Sequence, residues 1–526
     1  MSTAASAVGA VAWKPRYNPW LIALPVMLST FMVVLDTSIV VVALPYIAGN
    51  LGATQDESTW VLTSYLVANA VILPASAWLS SFMGRKNFLI GCTILFTVAS
   101  VTCGVAISMP MLVISRVLQG LGGGAMQPLS QSILLESFPP TERGTATALF
   151  GLGVVVAPII GPTLGGWLTD EFSWRWTFYI NLPVGVLATA LMLLLIEDPP
   201  YIRAARPRRI DASGFFLMAV FLGTLQIVLD KGQDADWFSA VWLRWFTFIC
   251  ALCLVGFIVR ELLIAQPIVD LRVFANRNFS TSALLFALFG VALYALITLQ
   301  PLCLQSLLGY PAFDAGLSVT PRGIGALIAL PVVGALVARV NPKFLVAFGF
   351  SMLGLSSFLL SRMSLQIAMS SVFWANIAAG LGTSFIFVPL TTLSIGTLRN
   401  EQIGNATGLQ NLVRNIGGSI GLSYVATMLQ RFAQAHQALM VKQLSSLDPQ
   451  YRAQLAFSQR LFERAFTAPD ALERGRALLY RVLIQQSSYW AFVDLFVVIA
   501  ALCAVAVLCT PIFRRPAVVH AVSVAE

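Results

Sequence analysis

One carboxylate stands inside the first long apolar run of the chain. It is Asp36, in Leu35-Asp36-Thr37-Ser38-Ile39-Val40-Val41-Val42-Ala43-Leu44-Pro45. Burying an ionised carboxylate costs several kcal/mol unless it is paired, hydrated or protonated. Burial penalises the charged form, so such a group can take up and release a proton at working pH. A proton exchanged inside a membrane cavity can drive transport, and Asp36 is the candidate carrier. The competing reading is a structural hydrogen bond to a neighbouring helix. Arg116 lies at similar depth in Ser115-Arg116-Val117-Leu118-Gln119-Gly120-Leu121-Gly122. Its guanidinium stays protonated, must face protein or water, and can tune a nearby carboxylate or attract an anion. A purely structural Arg satisfying backbone carbonyls is its alternative.

Two other arginines, Arg322 and Arg414, fall inside apolar runs, against one further clear aspartate, Asp494 on the last run. A cavity with that balance favours neutral or weakly acidic amphiphiles over dications. Candidate substrate-lining residues are Gln119, Gln127, Asn376, Gln410, Asn411, Asn415 and Arg414, with Phe385 and Phe387 as apolar contacts. Ordinary interhelical hydrogen bonding is the alternative for the amides. A third feature is mechanical. Gly153, Ala157, Gly161 and Gly165 recur every four residues, and Pro158 and Pro162 interrupt the same segment. Small residues at that spacing let another helix approach closely, and the prolines loosen the helix's own hydrogen bonding. Gly153, Pro158, Gly161, Pro162 and Gly165 form a candidate conformational seam.

The elements that hold these residues follow from composition. Of 526 residues, 58% are hydrophobic and only 10% charged, against about 25% charged in soluble proteins. A soluble enzyme is excluded. An outer-membrane barrel is excluded too, because its strands alternate polar and apolar residues, whereas these runs are continuous. Fourteen spans are expected, near 20–47, 58–80, 88–108, 111–134, 144–168, 176–197, 211–230, 240–263, 279–302, 315–338, 343–361, 369–396, 404–429 and 487–511. No cleaved secretory signal precedes the first. With the N-terminus cytoplasmic, the cytoplasmic segments hold 17 Lys/Arg and the short outer loops 4. That bias places both termini inside. The seven cysteines lie almost all in apolar runs, so no disulfide framework is expected, and Cys250 and Cys253 read as packing. The two histidines, His436 and His520, build no metal-site spacing. No cofactor is implied, and the absence of a GxxxxGK[ST] loop removes ATP as the direct energy source.

A shift of 260 residues brings Gly120-Leu121-Gly122 onto Gly380-Leu381-Gly382. It also carries Gly144, Ala146, Thr147, Leu149 and Leu152 onto Gly404, Ala406, Thr407, Leu409 and Leu412. Two six-span halves with two spans inserted between them follow. The expected organisation is a cytoplasmic tail 1–19, an N-terminal bundle 20–197, a linker 198–210 and inserted helices 211–263. A second linker 264–278, a C-terminal bundle 279–511 with an outer loop 430–486, and a tail 512–526 complete it. Halves related by an axis along the membrane normal are the plan of the major facilitator fold.

Three segments carry a resemblance to a known family. The Asp36 segment resembles LDxTxxNxALP, the Arg116 segment RxxQGxGxG and the fifth span GxxxGPxxGG. These are signature motifs of the fourteen-helix drug:proton antiporters of the major facilitator superfamily, the EmrB type. Trp174-Arg175-Trp176 through Asn181-Leu182-Pro183, Asp211 to Asp230-Lys231-Gly232, and Gln305 to Gly309-Tyr310 are similar as well. The chain departs from the pattern at Val41, where Asn is usual. It departs again at Ser81 and Phe82, where the loop after the second span carries an acid and a base in the family's charge-relay latch. The resemblance implies an all-α membrane protein of the major facilitator fold, two six-helix bundles with two inserted helices. It implies no enzyme but a proton-coupled exporter of amphipathic compounds in the bacterial inner membrane. It also implies a periplasmic adaptor of the EmrA type and an outer-membrane channel. An exporter of one metabolite, such as a siderophore, fits the same scaffold. The stretch 430–486, helical by spacing and split at Asp448-Pro449, is the candidate adaptor dock.

Overall fold

The computed structural model describes residues 15–139, 142–198, 211–264, 267–310, 312–337, 339–364, 369–396, 398, 400–444, 448–463 and 467–513. Both expected linkers lie partly outside them. Helices dominate: α1 Pro19–Leu51, α2 Gln55–Met83, α3 Arg85–Gly104, α4 Met109–Ser137 and α5 Arg143–Glu171. After a single turn, Trp176–Tyr179, come α6 Asn181–Leu195, α7 Ala212–Lys231 and α8 Val241–Leu263. Then follow α9 Arg277–Leu308, α10 Thr320–Leu336, α11 Pro342–Ser361, α12 Met369–Ile395, α13 Asn400–Gln443, α14 Pro449–Phe462 and α15 Ala468–Cys509.

Polar residues set the helix starts. Asn18, Asp211, Asn276, Asn341 and Asp448 accept from backbone amides of the following first turn. Thr54 and Glu57 form a reciprocal capping box at α2. At the other end, Gly52 and Gly309 close α1 and α9 in the left-handed region. Among the described residues ten helices are long and apolar enough to cross a membrane, and the bent α5 makes eleven. The 17-residue α10 is apolar but short. Helices α4 and α13 are less apolar because they carry the polar side chains: Arg116, Gln119, Gln127 and Gln131 on one, Asn405, Gln410, Asn411 and Arg414 on the other. The protein is a multi-pass membrane protein whose least apolar helices lie against other helices.

Helices α1–α6 pack on one another, and α9–α13 with α15 make a second bundle. The internal repeat has a residue-level counterpart. A Cβ on Gly122 of α4 would press on the α3 backbone at Cys92 and Phe96. One on Gly382 of α12 would press on α11 at Gly349 and Leu353. Likewise Gly120 abuts the Tyr65 carbonyl of α2, and Gly380 the Arg322 carbonyl of α10. The small residue is needed at each place because two backbones touch. Inserted α7 packs on α8, on α2 and on α13. Its end is tied to α2 by Lys231 to Thr59 at 2.6 Å, and Gln226 receives Ser419 of α13 at 2.9 Å.

The two lobes meet toward the end of the bundle at which α1 begins, the near face. There Gly144 of α5 packs on Gly334 and Val337 of α10, and the Phe150 and Phe387 rings stack at 6.1 Å. Asn411 donates to Gln131 at 2.9 Å across the same contact. At the far face the apolar-polar spacing of 430–486 builds helices. The 44-residue α13 is about 66 Å long, well beyond a hydrocarbon core of about 30 Å. With α14 and the first part of α15 it forms a cap outside the spans.

Candidate functional site

Asp36 and Arg116 are both fully buried and form an ion pair, Arg116 Nη1 to Asp36 Oδ2 at 2.6 Å. The other carboxylate oxygen, Oδ1, accepts from Gln119 Nε2 at 2.8 Å and from Asn181 Nδ2 at 2.9 Å. Each partner is held in turn. Arg116 Nη1 also donates to Gln119 Oε1 at 2.7 Å, its Nε donates to the Val61 carbonyl at 3.0 Å, and its guanidinium lies 4.2 Å from the Tyr65 ring centre. Asn181 donates to Ser100 Oγ at 2.9 Å.

Helical geometry explains half of this arrangement. Arg116 and Gln119 are three residues apart, so they share a face of α4. Asn181 arrives from the first turn of α6. That turn is positioned by Trp174 and Arg175, both bonded to Asn50 at the end of α1. The carboxylate therefore faces the interior of the first lobe, away from the acyl chains. Val41, which replaces the usual Asn, is 53% exposed and takes no part. Amides from α4 and α6 supply the hydrogen bonds.

The small-residue stripe of α5 lies directly beside this centre. A Cβ on Gly161 would overlap Ser38, and one on Gly165 would reach the Ile39 carbonyl at 3.0 Å. Gly153 touches Met27, and Ala157 is fully buried. The stripe is thus a close contact between α5 and α1, one turn from Asp36 and inside the first lobe. The face of α5 that meets the second lobe is another one, through Gly144, Ala148 and Phe150. Helix α5 bends by 41° between Arg143–Pro158 and Thr163–Glu171, where Pro158 sits. The Pro162 ring lies outside the described side chains.

The substrate-lining candidates separate into three groups. Gln127, Phe387, Asn411 and Arg414 come together where the lobes meet. Arg414 Nη2 donates to Gln127 Oε1 at 3.1 Å and the guanidinium is 5.8 Å from the Phe387 ring centre. Arg414 is only 4% exposed, and its Nε has no hydrogen-bond partner. Gln410 donates to Ser394, with its own Oε1 unpartnered, as is Asn415 Oδ1. The second group is Gln119, which belongs to Asp36. The third is in the second lobe: Asn376 accepts from Arg322 at 3.2 Å, and Phe385 packs edge-on against Phe348 at 4.9 Å.

Residue types and spacing did not single out Gln131, Phe150, Tyr65, Ser100 or Gln300. No local signal marks them, since each acts across a tertiary contact. Asn181 stood in a recognised motif without a role. The loop after α2 is paired differently from the family pattern. Ser81 bonds only its own helix, at the Trp78 carbonyl, and Phe82 stacks on Trp78. Arg85 instead pairs with Glu136 of α4. Asp198, after α6, accepts from the Lys86 backbone amide at 2.8 Å. The acids come from α4 and from the segment after α6 rather than from the loop. Asp494 of the last span pairs with His436 of α13 at 2.8 Å.

Comparison with known proteins places this architecture. The Major Facilitator Superfamily profile matches residues 26–422. The chain is 38% identical over 450 residues to the multidrug export protein EmrB of Escherichia coli (strain K12), covering 85% of this chain and 87% of that one. It is 36% identical over 418 residues to the fatty acid resistance protein FarB of Neisseria gonorrhoeae, covering 80% and 82%. The fold of a bacterial homologue of the human lysosomal transporter Spinster, in an inward-facing and unoccupied conformation, covers 94% of this chain and 97% of that one. Its TM-score is 0.54, at 18% identity. A buried Asp–Arg pair in one lobe, a polar cluster between lobes and this breadth of similarity lead to one assignment: the chain belongs to the Major Facilitator Superfamily of membrane transporters, in its EmrB-type branch.

Proposed function

We propose that the protein is a proton-coupled exporter of amphipathic, neutral or weakly acidic toxic compounds, working by alternating access. The observation that carries this reading is the sealed Asp36 centre. Its carboxylate has both oxygens engaged by donors from α4 and α6. Protonating Oδ2 requires Arg116 to withdraw, so proton uptake and loosening of α4 from α1 become one event. The Gly161 contact between α1 and α5 transmits it to a helix that also touches the second lobe. A two-state packing element biased by one charge is what such coupling requires.

The substrate site of this reading is the space beside Gln127, Phe387, Gln410, Asn411 and Arg414. A buried guanidinium among aromatic rings suits a weak acid with an apolar body. That a relative is named for fatty acid resistance fits the same chemistry. The bias of basic residues supports a cytoplasmic near face, with both termini on the cytoplasmic side of a bacterial inner membrane. A strain lacking the gene is expected to become sensitive to uncoupler-like aromatic acids and other weak acids, measured by growth inhibition. Sensitivity confined to dicationic dyes overturns the substrate assignment.

The helical cap of α13, α14 and α15 is the proposed dock for a periplasmic adaptor of the EmrA type, which passes substrate to an outer-membrane channel. The cap leaves Leu439, Val441, Phe457 and Leu461 exposed beyond the spans, an apolar surface of the kind that marks interaction sites. Deleting 440–475 is expected to abolish recovery of the adaptor in a pull-down while membrane insertion persists. Unchanged recovery refutes the dock.

A further inference from the structure

The second lobe contains a polar centre that the coupling scheme does not use. Arg322 is 3% exposed, in the first turn of α10. Its Nη2 reaches two amide oxygens, Gln300 Oε1 and Asn376 Oδ1, both at 3.2 Å. Its Nε and Nη1 have no hydrogen-bond partner. The acceptors are themselves fixed: Asn376 donates to the carbonyls of Ser318 and Val372 at 3.0 Å, and Gln300 to Ser318 Oγ at 3.3 Å. These amides therefore hold the guanidinium in place without neutralising it.

The internal symmetry shows what is missing. Gly120 touches α2 at Tyr65 and Gly380 touches α10 at Arg322, so Tyr65 and Arg322 occupy matching positions. Arg116 and Asn376 match in the repeat. In the first lobe the cation of this centre meets Asp36. In the second lobe the cation is kept, on the other helix of the pair, and among the described residues no acid forms an ion pair with it. Helices α9, α10, α11 and α12 contain no Asp or Glu, and Asp314, on the short helix Ala312–Leu317 between α9 and α10, forms no ion pair with Arg322. An arginine keeps its proton at any working pH, and a buried cation without a counter-charge is strongly disfavoured. The N-terminal end of α10 adds positive potential at the same point.

We infer that Arg322 is the core of a second anion site, in the far-face half of the C-terminal lobe, built for a monovalent anion. Two sources share that chemistry: free chloride, or the carboxylate of a transported amphiphile. The inference is independent of proton carriage by Asp36 and of the Arg414 assignment.

The test uses the purified full-length protein in lipid nanodiscs, in a sulfate buffer free of chloride. Chloride, octanoate or, as an uncharged control, octanol is titrated in. Hydrogen exchange of the amides over 320–330 is followed by mass spectrometry. Chloride or octanoate is expected to slow exchange there at least tenfold and saturably, and octanol is expected to do nothing. Arg322→Gln is expected to lose the response, and Arg322→Lys to keep it at lower affinity. A response to chloride alone identifies the inorganic ion, and a response to octanoate alone identifies the amphiphile. No anion-dependent protection in the unmodified protein overturns the site, whether or not Arg322→Gln folds. So does an Arg322→Gln variant that responds like the unmodified protein.

Discussion

Asp36→Asn is expected to reduce resistance of the host to the level of a strain lacking the gene, while the protein remains inserted and still exchanges substrate. The replacement has the size of the original and keeps an oxygen for the amides of Gln119 and Asn181, which bond Asp36 at 2.8 and 2.9 Å. It removes the only acidic group in the first span. Arg116 then loses its counter-charge but retains the Val61 carbonyl, Gln119 Oε1 and the Tyr65 ring. The variant should therefore fold with a lowered Tm. Because a neutral amide cannot gain or lose a proton at working pH, the gradient has no hold on the lobes. Substrate-for-substrate exchange, which needs no net proton movement, should survive and separates this outcome from simple unfolding. Full export by Asp36→Asn would remove the residue from the mechanism.

The second large effect is on stability. Removing one member of a fully buried, hydrogen-bonded ion pair leaves an uncompensated charge and costs about 3–5 kcal/mol, whereas replacing both members with apolar or neutral groups is often close to neutral. Arg116→Met is expected to unfold at markedly lower temperature than the unmodified protein, since Asp36 would face only two amides. The double variant Asp36→Asn/Arg116→Met is expected to recover most of that loss, a coupling visible as strong non-additivity in detergent-solubilised thermal unfolding. Simple addition of the two single effects would mean that the pair found at 2.6 Å contributes little. Neither variant should export, so the stability and transport readouts diverge in the double variant.

How much of this was legible in the residues alone depends on the range of the interaction. Asp36 and Arg116 are readable because charges in long apolar runs stand out, and a buried charge demands a partner. The two share a centre, although nothing local says that they touch. Gln119 reads as substrate lining, yet its place three residues from Arg116 puts it on the same helix face and on Asp36. Asn376 is drawn the same way into the Arg322 centre. The stripe at Gly153–Gly165 reads as a surface for close packing, but which helix approaches it is a tertiary fact, and it is α1. The altered loop after α2 looks like a lost latch because the expected acid is local. The acids that serve Arg85 and the start of α3 come from Glu136 and Asp198, 51 and 112 residues downstream of their partners. Helix positions are the most legible layer, since span length and hydropathy are fixed by the bilayer.

The central claim is that Asp36 carries the exchanged proton. Its most direct test is substrate-induced proton release from the purified protein in lightly buffered solution, read with a pH-sensitive dye and an uncharged exported compound. Substrate and proton compete for one lobe arrangement, so binding of one must expel the other. The unmodified protein should release protons in proportion to bound compound, and Asp36→Asn should bind the same compound and release none. Equal release from both proteins would contradict the account.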